Sequence, residues 1–183
     1  RGKLYEVRWH GRGGQGAVTS AELVAQAAIL EGKYGQAFPS FGPERRGAPV
    51  VAFVRVSEDR PIRIRAEITR PDAVVVLDPG LLQVVDVTVG MSPDGVVVVN
   101  SRKTPEQIRE EFHIRHKLVV VNATKIAREV LGVNIVNTTM AGALLRATGL
   151  VKIESMVEPL KSRFGKLAEK NFASMKAAYE QAV

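Results

Sequence analysis

The sequence predicts a three-layer α/β domain on an open, largely parallel sheet, with a helical C-terminal segment. Three observations carry this. A strand-like run over 3–9 passes through a glycine-rich turn into a helical run over 17–31. Short β-branched runs recur at 73–77, 96–99 and 118–121, each bounded by turn signals. Uninterrupted apolar runs of this length suit parallel strands covered on both faces. Helix signals fall between them, giving the alternation of an α/β fold.

Each element has its own reason. In the first strand Tyr5, Val7 and Trp9 share one face while Glu6, Arg8 and His10 share the other. A polar face is unusual beneath a helix layer, so it is either solvated or paired with groups elsewhere. A strand is expected over 50–57, followed after Glu58-Asp59-Arg60 by another over 62–66, where Ile and Arg alternate. Asp78-Pro79 is placed to cap a short helix. Thr104-Pro105-Glu106-Gln107 is a capping box with proline at the first helical position. Helices are expected from Asn122 to the stop at Gly132 and from Asn137 to Gly149. Beyond 153 the chain is helical and lysine-rich, interrupted by Pro159 and Gly165. We expect one domain over 1–183, with 151–183 as a helical extension.

Composition restricts the chemistry. There is no cysteine, which excludes disulfides, thiolate metal sites, iron–sulfur ligation and a cysteine nucleophile in this chain. His113 and His116 lie in a charged stretch that reads as solvated surface rather than a metal pair. No long apolar run or signal-peptide pattern occurs, so the expectation is a cytoplasmic protein without membrane or metal. A net charge of +7 favours anionic partners. Nucleic acid is not expected among them: aromatics are 5% and no basic-aromatic stripe occurs. The arginines Arg55, Arg60, Arg63, Arg65 and Arg70 alternate with apolar residues and read as a solvated strand face.

The most informative stretch is His10-Gly11-Arg12-Gly13-Gly14-Gln15-Gly16. Glycines at a strand-to-helix turn tolerate positive φ and let a ligand approach the backbone. The uncapped N–H groups and dipole of the following helix favour an anion, most often phosphate. Gly11, Gly13 and Gly16 also fit the dinucleotide fingerprint, but no acid follows at 34–41 to hold a ribose. A structural turn, a nicotinamide or flavin site, and another phosphate-bearing ligand or partner contact all remain open, the last being favoured.

His10, Asp78, Asn100-Ser101 and Asn122 each follow the last apolar residue of an expected strand, where open α/β sheets bind ligands. The segment 38–49, with three prolines and two glycines, is a long stiff loop that presents Arg45 and Arg46. Paired guanidinium forks suit phosphate or carboxylate.

Taken in order, these motifs resemble a known family. They are His-Gly-Arg-Gly-Gly-Gln-Gly at 10–16, Gly-Lys-Tyr at 32–34, Phe-Pro-Ser-Phe-Gly-Pro-Glu-Arg-Arg-Gly-Ala-Pro at 38–49 and Val-Val-Val-Leu-Asp at 74–78. Val-Val-Val-Asn at 97–100, Asn137 with Met140-Ala141-Gly142-Ala143, and Arg163-Phe164-Gly165-Lys166 continue the likeness. The chain is similar to the gamma subunit of pyruvate:ferredoxin oxidoreductase and related 2-oxoacid:ferredoxin oxidoreductases. Met140 is a mild departure that touches packing.

The resemblance implies a subunit without activity of its own. The family converts a 2-oxoacid, coenzyme A and oxidised ferredoxin to acyl-CoA, carbon dioxide and reduced ferredoxin. It implies alpha-, beta- and delta-type partner subunits that carry thiamine diphosphate, magnesium and iron–sulfur clusters, with ferredoxin met through the complex. It also implies a role for this chain in coenzyme A binding and assembly, with catalytic residues on the partners. The expected ligand residues are Gly11, Arg12, Gly13, Gly14, Gln15, Gly16, Arg45 and Arg46, with Asn100 and Asn137 as weaker contributors. The alternatives are a free-standing nicotinamide-dependent oxidoreductase and a purely structural subunit.

Overall fold

The valine runs become the buried centre of one mixed sheet. The computed structural model describes residues 4–43 and 45–183. Lys3, the expected start of the first strand, and Glu44 of the stiff loop lie outside the described residues. The strands are β1 (Leu4–Arg12), β2 (Tyr34–Pro39), β3 (Pro49–Ser57), β4 (Ala73–Val76), β5 (Val96–Asn100) and β6 (Lys117–Val121). Their spatial order is β2-β3-β1-β4-β5-β6. β1, β4, β5 and β6 run parallel, with Trp9 opposite Val75 and Val75 opposite Val98. β3 is antiparallel to both its neighbours, pairing Val7 with Val54 and Ala37 with Val54.

Helices cover both faces of the parallel half. On the inner face, α1 (Ala17–Leu30), α3 (Ala123–Val130), α4 (Asn137–Thr148), α5 (Val157–Phe164) and α6 (Ala168–Gln181) share one core with Val7, Trp9, Val54, Val75 and Val98. α4 is buried continuously from Asn137 to Leu145, so it is apolar or small almost all round, as a helix packed on every side must be. Gly142 is what lets α6 close over it: a Cβ there would collide with the Met175 carbonyl oxygen. On the outer face, α2 (Pro105–Phe112) and a 3-10 turn, Pro79–Gln83, cover Val74, Val76, Val97 and Val99. The expected caps form: Thr104 accepts from Gln107 N, and Asp78 from Gly80 N at 2.9 Å.

The expected strand over 62–66 does not form; that segment is coil. The reason is Arg55, which is 2% exposed rather than part of a solvated face. Its guanidinium donates to the carbonyls of Ile64 at 3.3 Å and Ala66 at 2.5 Å, and Gln36 Nε2 also donates to Ile64 O at 2.9 Å. Carbonyls held by side chains are not available to a ladder, so the coil lies over the outer face of the antiparallel half.

The polar face of β1 is paired. Glu6 accepts from Arg55 Nε at 2.8 Å. Arg8 donates to His10 Nε2 at 3.0 Å and to the carbonyls of Val87 and Val89 at 2.9 and 2.7 Å. Buried charges are tolerated when their hydrogen bonds are met in this way.

The C-terminal segment also refines the expectation. Pro159 does not interrupt a helix; it occupies the first turn of α5, where its missing N–H has no intrahelical partner to lose. Gly165, at φ 55°, does separate α5 from α6. Met156, Leu160, Met175 and Ala178 sit in the same core as β1 and α1, so 151–183 forms part of the inner layer.

Candidate ligand crevice at the strand ends

The chain leaves β1 toward β2 on one side and returns to build β4, β5 and β6 on the other. The reversal puts a crevice beyond the carboxyl ends of β1 and β4, where open α/β sheets take their ligands. The glycine turn lies there. Gly14 has φ 93° and Gly16 φ 80°, and Gly16 starts α1 without a side-chain cap. The dipole at that helix end is therefore not offset by an acidic side chain.

The turn and the arginine loop, separated by some thirty residues, form one unit. Gly13 N donates to Ala48 O at 2.9 Å, and Gly47 N donates to Gly13 O at 3.1 Å. Gly13 forms a bridge with Arg46. Arg12 Nη1 adds a bond to Gly47 O at 3.1 Å. Arg45 and Arg46 are exposed, and the Arg46 stem passes 3.9 Å from the position of a Cβ on Gly14.

Asp78 organises the other side of the turn. Its Oδ2 accepts from Arg12 Nε at 3.1 Å and Gln15 Nε2 at 3.2 Å, while Gln15 Oε1 accepts from Arg12 N at 2.7 Å. Arg12 and Gln15 are thus fixed by Asp78 and shape the turn. Gly11 is a buried β1 residue; a Cβ there would come within 3.1 Å of Leu77 Cδ1.

Beside the turn is a crevice of about 580 Å³, lined by Gly14, Gly16, Asp78, Asn137, Arg163 and Lys170 among others. That volume lies within the range of small-molecule sites. A second cleft, of about 750 Å³, lies between the start of α1 and the loop bearing Phe41 and Pro43.

The two asparagines line the crevice but are engaged by the fold. Asn100, 2% exposed, donates to Leu77 O and Thr124 Oγ1, each at 3.0 Å. Its Oδ1 accepts from the backbone of Ala123 and Thr124 at the start of α3. Asn137 Nδ2 donates to Gly16 O at 3.2 Å. Asn100 has the fewest atoms left for a ligand and ties β4, β5 and α3 together.

His10 lines neither cleft. Burial, with Arg8 beside it, pushes its pKa down to about 3, against a smaller opposing effect of Asp86. The imidazole is neutral and accepts the Arg8 hydrogen bond through Nε2.

The layout also bears on nicotinamide binding. In a dinucleotide fold the second strand supplies the ribose-binding acid beside the first. Here antiparallel β3 intervenes between β1 and β2, so the end of β2 is not adjacent to the glycine turn's strand.

Comparison with known proteins gives a consistent result. The pyruvate ferredoxin/flavodoxin oxidoreductase family matches residues 6–181. The common gamma subunit of the pyruvate and ketoisovalerate oxidoreductases of Pyrococcus furiosus is 56% identical over 180 residues, 97% of each chain. This chain belongs to the pyruvate ferredoxin/flavodoxin oxidoreductase family, as a gamma-type subunit.

Solved structures extend the match. The pyruvate oxidoreductase subunit PORC of Thermotoga maritima superposes with TM-score 0.87 at 38% identity, covering 99% of this chain and 98% of that one. A 2-oxoglutarate:ferredoxin oxidoreductase from Magnetococcus marinus, solved with 2-oxoglutarate, coenzyme A and succinyl-CoA bound, shares the fold. Its TM-score is 0.73 at 20% identity, over 97% of this chain and 30% of that one.

Arg163 and Lys170 were missed as candidate ligand residues. For Arg163 the signal was present in Arg163-Phe164-Gly165-Lys166, a basic stretch interrupted by a glycine; Lys170, within α6, carried no such local signal. What brings it to the crevice is the return of α5 and α6 across the inner face. Among the described residues no group of three metal-ligating side chains occurs, and no helix is long and apolar enough to cross a membrane.

Proposed function

We propose that this gamma-type subunit helps hold the phosphate-bearing part of coenzyme A for its 2-oxoacid:ferredoxin oxidoreductase, and contributes to assembly of the complex. The observation that carries this is the joining of the arginine loop to the glycine turn, where Gly13 bridges Arg46 and accepts from Gly47 N just before the uncapped start of α1. Two exposed arginines on a loop anchored beside an open helix N-terminus are an arrangement suited to phosphate.

The residues we assign to the ligand are the backbone of Gly14 and Gly16 and the side chains of Arg45 and Arg46, with the Gly13 backbone already engaged in holding the arginine loop. Gly11, Arg12, Gln15, Asn100 and Asn137 set the shape of the site. The ligand-bound oxidoreductase from Magnetococcus marinus makes coenzyme A a natural choice among phosphate-bearing ligands. By likeness to the common subunit of Pyrococcus furiosus, the acids oxidised are pyruvate and a branched-chain 2-oxoacid.

The electron-transfer chemistry is assigned to alpha-, beta- and delta-type partners, with ferredoxin met through the complex in the cytoplasm. A chain without cysteine does not fit the thiolate ligation of iron–sulfur clusters. Thiamine diphosphate and its magnesium are likewise placed on the partners. The part played by this chain is binding and placement.

The test is the reconstituted complex carrying Arg45→Ala and Arg46→Ala together. The Michaelis constant for coenzyme A should rise roughly 10-fold or more, with turnover at saturating coenzyme A retained. A variant that assembles normally and keeps the wild-type constant leaves the loop as a docking element.

A further inference from the structure

At the carboxyl ends of β5 and β6, next to the crevice and on its side farther from the glycine turn, lies a third concavity of about 700 Å³. Its apolar floor includes Leu82, Ile108 and Phe112, and its rim carries Arg102, Lys103, Lys125 and Arg128. The acid lining it is Glu129. Lys103 is paired with Glu111. Among the described residues, no ion pair engages Arg102, Lys125 or Arg128.

Three like charges held around one hollow repel one another, and an anion between them relieves that repulsion. The starts of α2 and α3 are at the same edge, adding partial positive charge. Their backbone contribution is limited, because Asn100 and Asn122 already accept from the first N–H groups of α3. Binding therefore rests on the side chains. A flat basic patch would suit a macromolecule; a hollow with an apolar floor and a cationic rim suits a small planar group bearing phosphates.

We propose that this hollow is a second anion site, for a nucleoside phosphate, with the base on Leu82 and Phe112 and the phosphates against Arg102, Lys125 and Arg128. It is distinct from the crevice assigned to coenzyme A, although both are bounded by Pro79, Asn100 and Thr124. That shared wall gives a route by which occupation of one site bears on the other: Asn100 holds both Leu77 O and the start of α3.

The test uses ADP as the probe, titrated calorimetrically into the assembled enzyme already saturated with coenzyme A, so that the crevice is occupied. Lys125 and Arg128 are exposed on α3, so Lys125→Glu with Arg128→Glu leaves the core untouched. The wild type should bind ADP and the double variant should bind it at least about 10-fold more weakly, with an unchanged Michaelis constant for coenzyme A. Three results overturn the proposal. They are no ADP binding by the wild-type complex, binding unaffected by the two substitutions, or a coenzyme A constant that rises with them. The last would make the hollow part of the coenzyme A site.

Discussion

Gly13 and Arg45 touch through their backbones so closely that a Cβ on Gly13 would overlap the Arg45 carbonyl. Because the obstruction is backbone, no rotamer change relieves it. Gly13→Ala should therefore push the arginine loop off the turn at a cost of roughly 1–3 kcal/mol. Amide exchange at Gly13 and Gly47, bonded to Ala48 and Gly13 in the wild type, should accelerate in the variant. Wild-type protection at both amides would show that the loop accommodates the methyl.

Arg55 joins three segments: Glu6 on β1, Gln36 on β2 and the coil carbonyls at 64 and 66. Removing one member of a buried pair leaves a charge without its partner, at about 3–5 kcal/mol. The lower end applies to Arg55→Met, since the Glu6 side chain remains 21% exposed. Protease cleavage within 58–70 should appear at concentrations that leave the wild type intact. Adding Glu6→Gln should recover part of the loss, because the unpaired carboxylate is then gone. A double variant no better than Arg55→Met would place the cost in the coil contacts alone.

His10 predicts an acid-sensitive fold. Its pKa is about 3 in the folded chain against 6.5 ordinarily, so the unfolded chain binds the extra proton below 6.5. Stability is full above that value and falls with decreasing pH at up to about 1.4 kcal/mol per unit until the folded pKa is reached. Asp86 and Glu31 are also held below their ordinary values of 3.8 and 4.5, Asp86 by hydrogen bonds from Thr88 and Glu31 by bonds from Ser155, Lys152 and Lys33 against opposing burial. Their contributions are lost lower in the range. The interval from 6.5 to about 5.5 therefore isolates His10 among these groups. His10→Gln keeps an acceptor for Arg8 and should flatten denaturant midpoints across that interval. An equal slope in both proteins would assign the sensitivity elsewhere.

The parts of the fold written in local pattern were legible in the sequence. The valine runs became β4, β5 and β6 because burial on both faces removes any polar alternation. The Thr104 and Asp78 caps formed because their partners lie two or three residues away. The strand expected at 62–66 failed for the opposite reason. Its Ile–Arg alternation was a local signal, but Arg55 and Gln36, distant in sequence, took its carbonyls. The antiparallel placement of β3 is also a long-range pairing. At the site, the glycines and arginines were visible as separate motifs, while the bridge between Gly13 and Arg46 is a tertiary contact.

Arg163 and Lys170 put that same long-range logic to a functional test. Both line the far wall of the crevice from the glycine turn, at the end of α5 and within α6. If a polyanionic ligand lies in the crevice, each cation contributes a charge-assisted contact worth about 1.5–3 kcal/mol when removed. Arg163→Ala and Lys170→Ala should each raise the Michaelis constant for coenzyme A by roughly 10- to 150-fold, with turnover at saturation little changed. Lys170→Glu should exceed Lys170→Ala, since repulsion is added to the lost attraction. Raising ionic strength should narrow that gap, because screening acts on the charge itself. The two substitutions at Lys170 separate charge from packing. If Ala and Glu give equal constants at low salt, the side chain fills space in the crevice, and the phosphates lie on the Arg45–Arg46 side of the turn.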